Sequence, residues 1–267
     1  MTSGLIDSDS FTSALRNVGV ADSDVLTVIS DFASFGSKVV DTGDRRSAMV
    51  QVHADLRMIA GANSTIVVPT FTYSTGPDSP YVHEETPSET GIYTEYLRLL
   101  PGTIRSVHPA LSFAANGPRA KEICHSASPH SYGWHSVPHR VVTADSFVVS
   151  IGRSPHRGSF LLHLAEALYG VPYRYTKELS IPVYVGGEHI RAAFYHFVRW
   201  QGSDIVLDTN RLVQRLEARS IVRYAPLGQS GIWAYRAREL FDATIDLLRR
   251  NIYGLLDHAP ATRPWQS

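Results

Sequence analysis

The sequence predicts an α/β fold of three layers, with helices on both faces of a largely parallel central sheet and an added antiparallel hairpin. Three observations lead there. Val25 to Ser30 and Ser64 to Pro69 are β-rich runs, and between them Ser47 to Ala60 sets Met49, Val52, Leu56 and Ile59 at spacings of 3, 4 and 3. A helical crossover between two buried strands implies a parallel pair with the helix packed on one face. Strand-like and helical runs then keep alternating along the chain, and Gly186-Gly187-Glu188 divides two β-rich runs in the manner of a hairpin turn.

Each element has a local reason. A short helix precedes Asn17-Val18-Gly19-Val20, and the βαβ unit from Val25 to Pro69 follows it. Thr90 to Leu100 reads as a helix with Ile92, Tyr93, Tyr96 and Leu97 on one side, ending near Pro101-Gly102. A short strand starts from Ala110, and Phe147 to Ile151 is a further buried strand that stops at Gly152. A loop, Arg153 to Gly158, leads to Ser159, an N-cap residue for a helix running to about Tyr169. The hairpin runs are Ile181 to Val185 and His189 to Trp200. Helix Asp208 to Ala218, strand Ser220 to Tyr224, a short strand around Ile232 to Tyr235, and helix Ala237 to Leu256 close the chain. No internal repeat or low-complexity tract interrupts the order.

Composition narrows the function classes. With 267 residues and Pro and Gly dispersed rather than gathered into a linker, one domain spanning 1–267 is expected. Lys plus Arg and Asp plus Glu are 25 each, so there is no electrostatic footprint for nucleic acid or an anionic membrane. Met1 to Ser10 is polar and acidic, unlike a secretory signal, and no apolar run approaches the roughly 20 residues of a membrane span. A cytoplasmic protein is expected. The single cysteine, Cys124, excludes an intramolecular disulfide.

The densest chemistry lies in Arg105-Ser106-Val107-His108-Pro109-Ala110-Leu111-Ser112-Phe113, a cation, an imidazole and two hydroxyls beside apolar residues. Pro109 pushes His108 out of helical geometry, which places the cluster in a turn. In open α/β sheets ligands bind beyond the carboxyl ends of the strands. There the chain carries Ser30, Asp31, Phe32 and Ser34 after the first strand, and Thr70, Thr72 and Tyr73 after the second. Ordinary turns and helix caps use the same residue types. The third strand end delivers His163, in Ser159-Phe160-Leu161-Leu162-His163-Leu164-Ala165-Glu166. Glu166 lies at i+3 on the same helical face, where it can orient or charge-stabilise the imidazole. A carboxylate-held His takes protons from nucleophiles near neutral pH, though an ordinary surface contact has the same spacing.

Other motifs fall away. Arg16-Asn17-Val18-Gly19-Val20-Ala21 matches a pyrophosphate-binding pattern of the commonest acetyltransferase superfamily, but it follows a helix and precedes a strand, the reverse of what that pattern needs. No dinucleotide, phosphate-loop or nucleophile-elbow motif is present. His125, His130, His135 and His139 have spacings of 5, 5 and 4, which match no familiar zinc pair, so no metal is expected.

Leu15 through Gly36, then Val68-Pro69-Thr70-Phe71-Thr72, Pro87-Ser88-Glu89-Thr90-Gly91, Pro101-Gly102-Thr103-Ile104-Arg105-Ser106-Val107-His108-Pro109, Ser112-Phe113-Ala114-Ala115-Asn116-Gly117 and His163-Leu164-Ala165-Glu166, in that order, resemble the aminoglycoside 3-N-acetyltransferase family over nearly the whole chain. The resemblance implies acetyl transfer from acetyl-CoA to a sugar amine, without an acyl-enzyme and without a metal. It makes His163 the general base, with Glu166 or another carboxylate as its partner, and lines the CoA arm with Ser30, Asp31, Phe32, Ser34, Arg105 and Ser106. Thr70, Thr72, Tyr73 and His108 are expected on the substrate side, His108 either there or ordering its turn by hydrogen bonds. A small-molecule amine and CoA are the expected partners, along with a second copy in a homodimer.

Two departures bear on the acceptor. Antibiotic-modifying members typically carry His-Ser-Ser-Leu-Ser after the first strand and Asp-x-Asn-Thr before the catalytic His. Here the residues are Ile29-Ser30-Asp31-Phe32-Ala33 and His156-Arg157-Gly158-Ser159, with Val171-Pro172-Tyr173-Arg174-Tyr175 after the His helix. These look more like members that acetylate a biosynthetic amino sugar, such as a nucleotide-linked one, and the neutral charge points the same way. Aminoglycoside 3-N-acetylation is the alternative within the family. A metal-dependent hydrolase and a non-catalytic small-molecule binder are the alternatives outside it.

Overall fold

The computed structural model describes residues 7–21, 23–35, 45–154, 159–201 and 204–266. Strands β1 (Val25–Ser30), β2 (Thr65–Pro69), β3 (Tyr81–Val82), β4 (Ile104–Arg105), β5 (Phe113–Asn116) and β6 (Phe147–Ile151) make up the first half. The second half holds β7 (Arg174–Glu178), β8 (Val183–Val185), β9 (Glu188–His189), β10 (Tyr195–Arg199), β11 (Arg223–Leu227) and β12 (Ser230–Arg236). Helices are α1 (Ser8–Asn17), α2 (Arg45–Ala60), α3 (Ile92–Arg98), α4 (Ala120–Cys124), α5 (Val137–Thr143), α6 (Phe160–Tyr169), α7 (Asn210–Ala218) and α8 (Ala237–Arg250).

Seven strands form the central sheet in the order β11-β12-β6-β1-β2-β5-β4. β1 pairs in parallel with β2, which closes the βαβ unit expected from the first three runs, and it pairs in parallel with β6 on its other side. Antiparallel pairs extend this centre on both sides, β5 and β4 beyond β2, and β12 and β11 beyond β6. β5 and β12 therefore run against the other strands. The three central strands are buried along their whole length, which accounts for their continuous apolar runs.

Alternation along each strand divides the apolar side chains between two layers. Val25 and Ile29 of β1 face the layer containing Leu161, Leu164, Ala243 and Leu248 of α6 and α8. Leu26 and Val28 face the layer of α1, α2 and α3, with Leu15, Met49, Leu56 and Leu97. A buried Leu or Val contributes about 1.5–3 kcal/mol, so a one-residue register slip in β1 would be costly on both faces at once.

The hairpin is smaller than the sequence indicated, and a second pair takes its far half. Gly186 and Gly187, at φ 59° and 80°, turn β8 into β9, pairing Val185 with Glu188. Two consecutive positive φ values suit the primed turns that match strand twist. The run ending at Trp200 then leaves this hairpin, and Tyr195–Arg199 pairs instead with Arg174–Glu178. The last helix stops at Arg250 rather than Leu256, because Asn251 leaves helical geometry at φ −149° and ψ 108°.

Candidate active site

A cleft of about 1220 Å³ opens where β1, β2 and β6 end, between the 3-10 turn Phe32–Phe35 and the β7/β10 pair. Ser30, Asp31, Phe32 and Ala33 line one side, and His196, Phe197, Val198 and Arg199 another. Phe71, Phe113 and Phe160 stack edge to face beneath it, with centroids 5.2 and 5.0 Å apart. Gly152 at the end of β6 keeps the first wall close. Its φ is 76°, and a Cβ there would lie 2.2 Å from the Asp31 carbonyl oxygen. Any other residue would therefore displace the 31–35 turn.

α6 delivers the principal side chains. The Ser159 hydroxyl accepts from Leu161 N, and Gly170 ends the helix in the left-handed conformation. Leu161, Leu164 and Ala165 bury one face, and this sets His163 on the cleft wall with its side chain 31% exposed. Glu166, one turn on, is 1% exposed, with Oε2 2.7 Å from His163 Nδ1. After Gly170 the chain returns as β7, which brings Arg174 Nε to 2.8 Å from the same carboxylate oxygen and its Nη2 to 3.1 Å from His163 Nδ1.

Only one group can place a proton between His163 Nδ1 and Glu166. A 2.7 Å contact to a carboxylate requires the imidazole N–H, so Nδ1 carries the proton and, in the neutral ring, Nε2 holds the lone pair. Arg174 then acts on the carboxylate rather than as a donor to the ring. Burial works to raise the Glu166 carboxyl pKa, but hydrogen bonding to His163, the charges of His163 and Arg174, and the Tyr173 hydroxyl together hold it below its ordinary value. Tyr132 packs edge-on against His163 at 5.6 Å and completes the wall.

The turn around His108 lies behind the cleft instead of in it. Arg105, 8% exposed, donates to the carbonyl oxygens of His83, Thr86 and Thr70 and to Ser112 Oγ, and its guanidinium sits 5.0 Å from the Tyr81 ring centroid. These bonds hold it within the protein, and it is not among the residues that line the cleft. Ser106 is likewise buried, its hydroxyl accepting from Phe113 N. Ser34 donates to the Asp31 carbonyl and supports the turn rather than lining the cleft.

Thr70 and Thr72 are also turned inward, bonded to Ser112 Oγ and the Pro87 carbonyl, and neither lines the cleft. Of that group Tyr73 alone lines the cleft, 68% exposed. His108 is 3% exposed and its Nδ1 accepts from Ala110 N and Leu111 N. Its proton must therefore be on Nε2, which donates to the Tyr195 carbonyl at 3.2 Å. The imidazole orders its own turn and anchors the start of β10.

Glu89, Tyr132, Arg174, His196 and Arg199 also line the cleft and were not among the expected site residues. Arg174 was visible as a cation soon after the His helix; His196 carries no local motif. The four histidines of the middle segment are dispersed: His130 stacks on Tyr195 at 4.6 Å, and His135 packs beside His139. Among the described residues no group of three His, Cys, Asp or Glu is arranged to hold a metal ion. His156, Arg157 and Gly158, where the chain departs from antibiotic-modifying members, lie outside the described residues.

Residues 29–249 match the family described as Aminoglycoside 3-N-acetyltransferase. The chain belongs to that family. It is accordingly an acyltransferase. Similar curated proteins include aminoglycoside N(3)-acetyltransferase IV from Salmonella, 28% identical over 89% of this chain and 85% of that one. Aminoglycoside N(3)-acetyltransferase VII from Streptomyces paromomycinus is 32% identical over 61% of this chain and 57% of its own. Among solved structures of the family fold, AAC-IIIb in binary complex with CoASH has a TM-score of 0.73 at 20% identity, covering 91% of this chain and 96% of that chain. Aminoglycoside acetyltransferase AAC(3)-IVa, as a His-to-Ala mutant in complex with a gentamicin, has a TM-score of 0.75 at 23% identity, covering 96% and 92%. No helix among the described residues is long and apolar enough to cross a membrane.

Proposed function

We propose that this chain transfers the acetyl group of acetyl-CoA to an amine of an aminoglycoside by direct attack. The observation that carries this is the His163–Glu166–Arg174 assembly on the wall of a 1220 Å³ cleft. Pockets for one small ligand span about 300–1,000 Å³, so this volume suits two substrates side by side. The amine nitrogen, aligned by the cleft, gives its proton to His163 Nε2 as its lone pair attacks the thioester carbonyl carbon. The C–S bond then breaks, the electron pair leaves on sulfur, and the proton passes from His163 to the thiolate to give CoASH. Glu166 holds the imidazole tautomer and stabilises the transient imidazolium.

Ser30 supports the carbonyl side. Its hydroxyl is buried at the cleft edge without a hydrogen-bond partner among the described residues, a costly arrangement unless substrate supplies the acceptor. A donor there stabilises the oxygen as its charge develops. Asp31 and Phe32 extend the same wall for the CoA arm, and Tyr73 faces the acceptor.

A second reading rests on charge. Among the described residues the cleft presents Arg153, Arg174 and Arg199 against Asp31 and Glu89, with Arg174 neutralised by Glu166. That balance is not the acidic excess that collects a polycation, and it leaves room for an amino sugar carrying a phosphate, as a nucleotide-linked one does. One assay separates the readings: CoA thiol release with acetyl-CoA across aminoglycosides and nucleotide amino sugars. Turnover with aminoglycosides, and resistance on expression in a sensitive host, supports the first; turnover confined to nucleotide amino sugars replaces it with the second. His163→Ala should lower kcat by roughly 10²–10⁴ while calorimetric CoA affinity is retained. Full activity in that variant would remove the proposed mechanism.

A further inference from the structure

His196 lies in the same cleft as His163, and the two rings flank Tyr132 at 6.4 and 5.6 Å. Its Nδ1 is 3.0 Å from Ser131 Oγ. Ser131 is 3% exposed and already accepts from Phe197 N, so the hydroxyl proton needs an acceptor, and Nδ1 is the one within reach. If Nδ1 instead carried the proton, Ser131 would accept twice and leave a buried O–H unpaired, which is the more costly arrangement. His196 therefore holds its proton on Nε2, the tautomer opposite to that of His163. Among the described residues no hydrogen-bond partner reaches Nε2.

The strand beneath is fixed. The Tyr195 carbonyl accepts from both His108 Nε2 and Ser131 N, and Tyr195 N donates to the Pro129 carbonyl. We propose that His196 is a hydrogen-bond donor to the acceptor substrate, its Nε2–H reading an oxygen next to the amine that His163 deprotonates. The inference rests on the transferase reading above and deepens it. A donor at this position bonds to a hydroxyl or ether oxygen but offers nothing to an ammonium group, so the site distinguishes amino sugars by the substituent beside the reacting nitrogen. The imidazole also remains neutral beside a cationic substrate. Burial, with the charges of His108, His163, Arg174 and Lys177, holds its pKa at about 4.

Two measurements test this. In free protein labelled with ¹⁵N-histidine, resonances assigned by their loss in His196→Gln should show Nε2 protonated and Nδ1 unprotonated at neutral pH, and Ser131→Ala should produce a mixture. An Nδ1–H imidazole in the wild type overturns the proposal whatever the enzyme acetylates. For activity, acceptor pairs differing by one hydroxyl beside the amine are compared. The wild type should lose roughly tenfold or more in kcat/KM on deoxygenation, chiefly through KM for the acceptor, with KM for acetyl-CoA unchanged. His196→Phe should treat both acceptors alike, and His196→Gln, which retains an N–H, should recover most of the discrimination. Unaltered discrimination in His196→Phe overturns the proposal. Failure of the transferase reading looks different: the wild type then releases no thiol with any amine, while the tautomer measurement still decides the state of His196.

Discussion

Glu166 shows how much one buried charge organises. Its carboxylate is 1% exposed and meets both His163 and Arg174, so Glu166→Gln preserves shape while leaving a buried guanidinium without its counter-charge. Removing one member of such a pair costs about 3–5 kcal/mol. The same change weakens the preference of His163 for the Nδ1–H tautomer, and kcat should fall by roughly 10²–10⁴ in steady-state assays. Its folded-state pKa is depressed, so its stabilisation is present above the ordinary carboxylate pKa and is lost as pH falls through the depressed value. Cys124 is the contrasting case. Burial pushes its thiol pKa up to about 12, and it should resist alkylation in the folded protein while reacting fully in denaturant.

At the scale of elements, the segment from Arg105 to Phe113 is a fastener between chain segments. Arg105 ties the end of β2, the 83–86 loop and the start of β5 through three carbonyls and one hydroxyl. Arg105→Ala would strand all of these, so Tm should fall by many degrees while KM for acetyl-CoA in surviving enzyme stays unchanged; an unaltered Tm with raised KM would return this turn to the cofactor side. Its polar composition is equally that of a binding loop, since Arg, Ser and His bond backbone carbonyls as readily as ligands, and sequence alone cannot tell which way they face. The βαβ unit was legible because Met49, Leu56 and the two flanking apolar runs obey local periodicity. The helix bearing His163 and Glu166 was legible because i and i+3 share a face whatever surrounds them. β7 was not, because Arg174–Glu178 reads as polar; β10 lies within the expected run His189 to Trp200, but its pairing with β7 is set by contacts distant in sequence. His196 was hidden for the same reason, because it enters the cleft only through that pairing.

For the molecule as a whole, histidine burial sets the response to acid. His53, His108 and His196 sit on three different elements, and burial in each case lowers the imidazole pKa to about 4 from 6.5. Neighbouring positive charge adds to this at His53, through Arg57, while at His108 the bond to the Tyr195 carbonyl opposes it. The unfolded chain takes up protons on these rings as pH falls through 6.5, and the folded chain does not until near 4. A depressed folded-state pKa means stability is present above the unfolded value and is lost on acidification, so Tm should decline steadily across that window. Each ring contributes a slope of up to ~1.4 kcal/mol per pH unit, less at the half-buried His53 where solvent screens it, and the three add because the folded chain holds none of these protons within the window, even though His108 and His196 are neighbours. His258 has the opposite sign, its pKa raised by Asp257 and Asp204, but it is exposed and its effect is screened. Denaturant unfolding at pH 7.5, 6, 5 and 4.5 should therefore show a fall in stability approaching that of three protons. His108→Gln should lower the overall stability and remove one proton from the slope, whereas an unchanged slope would mean that His108 is already protonated in the native state.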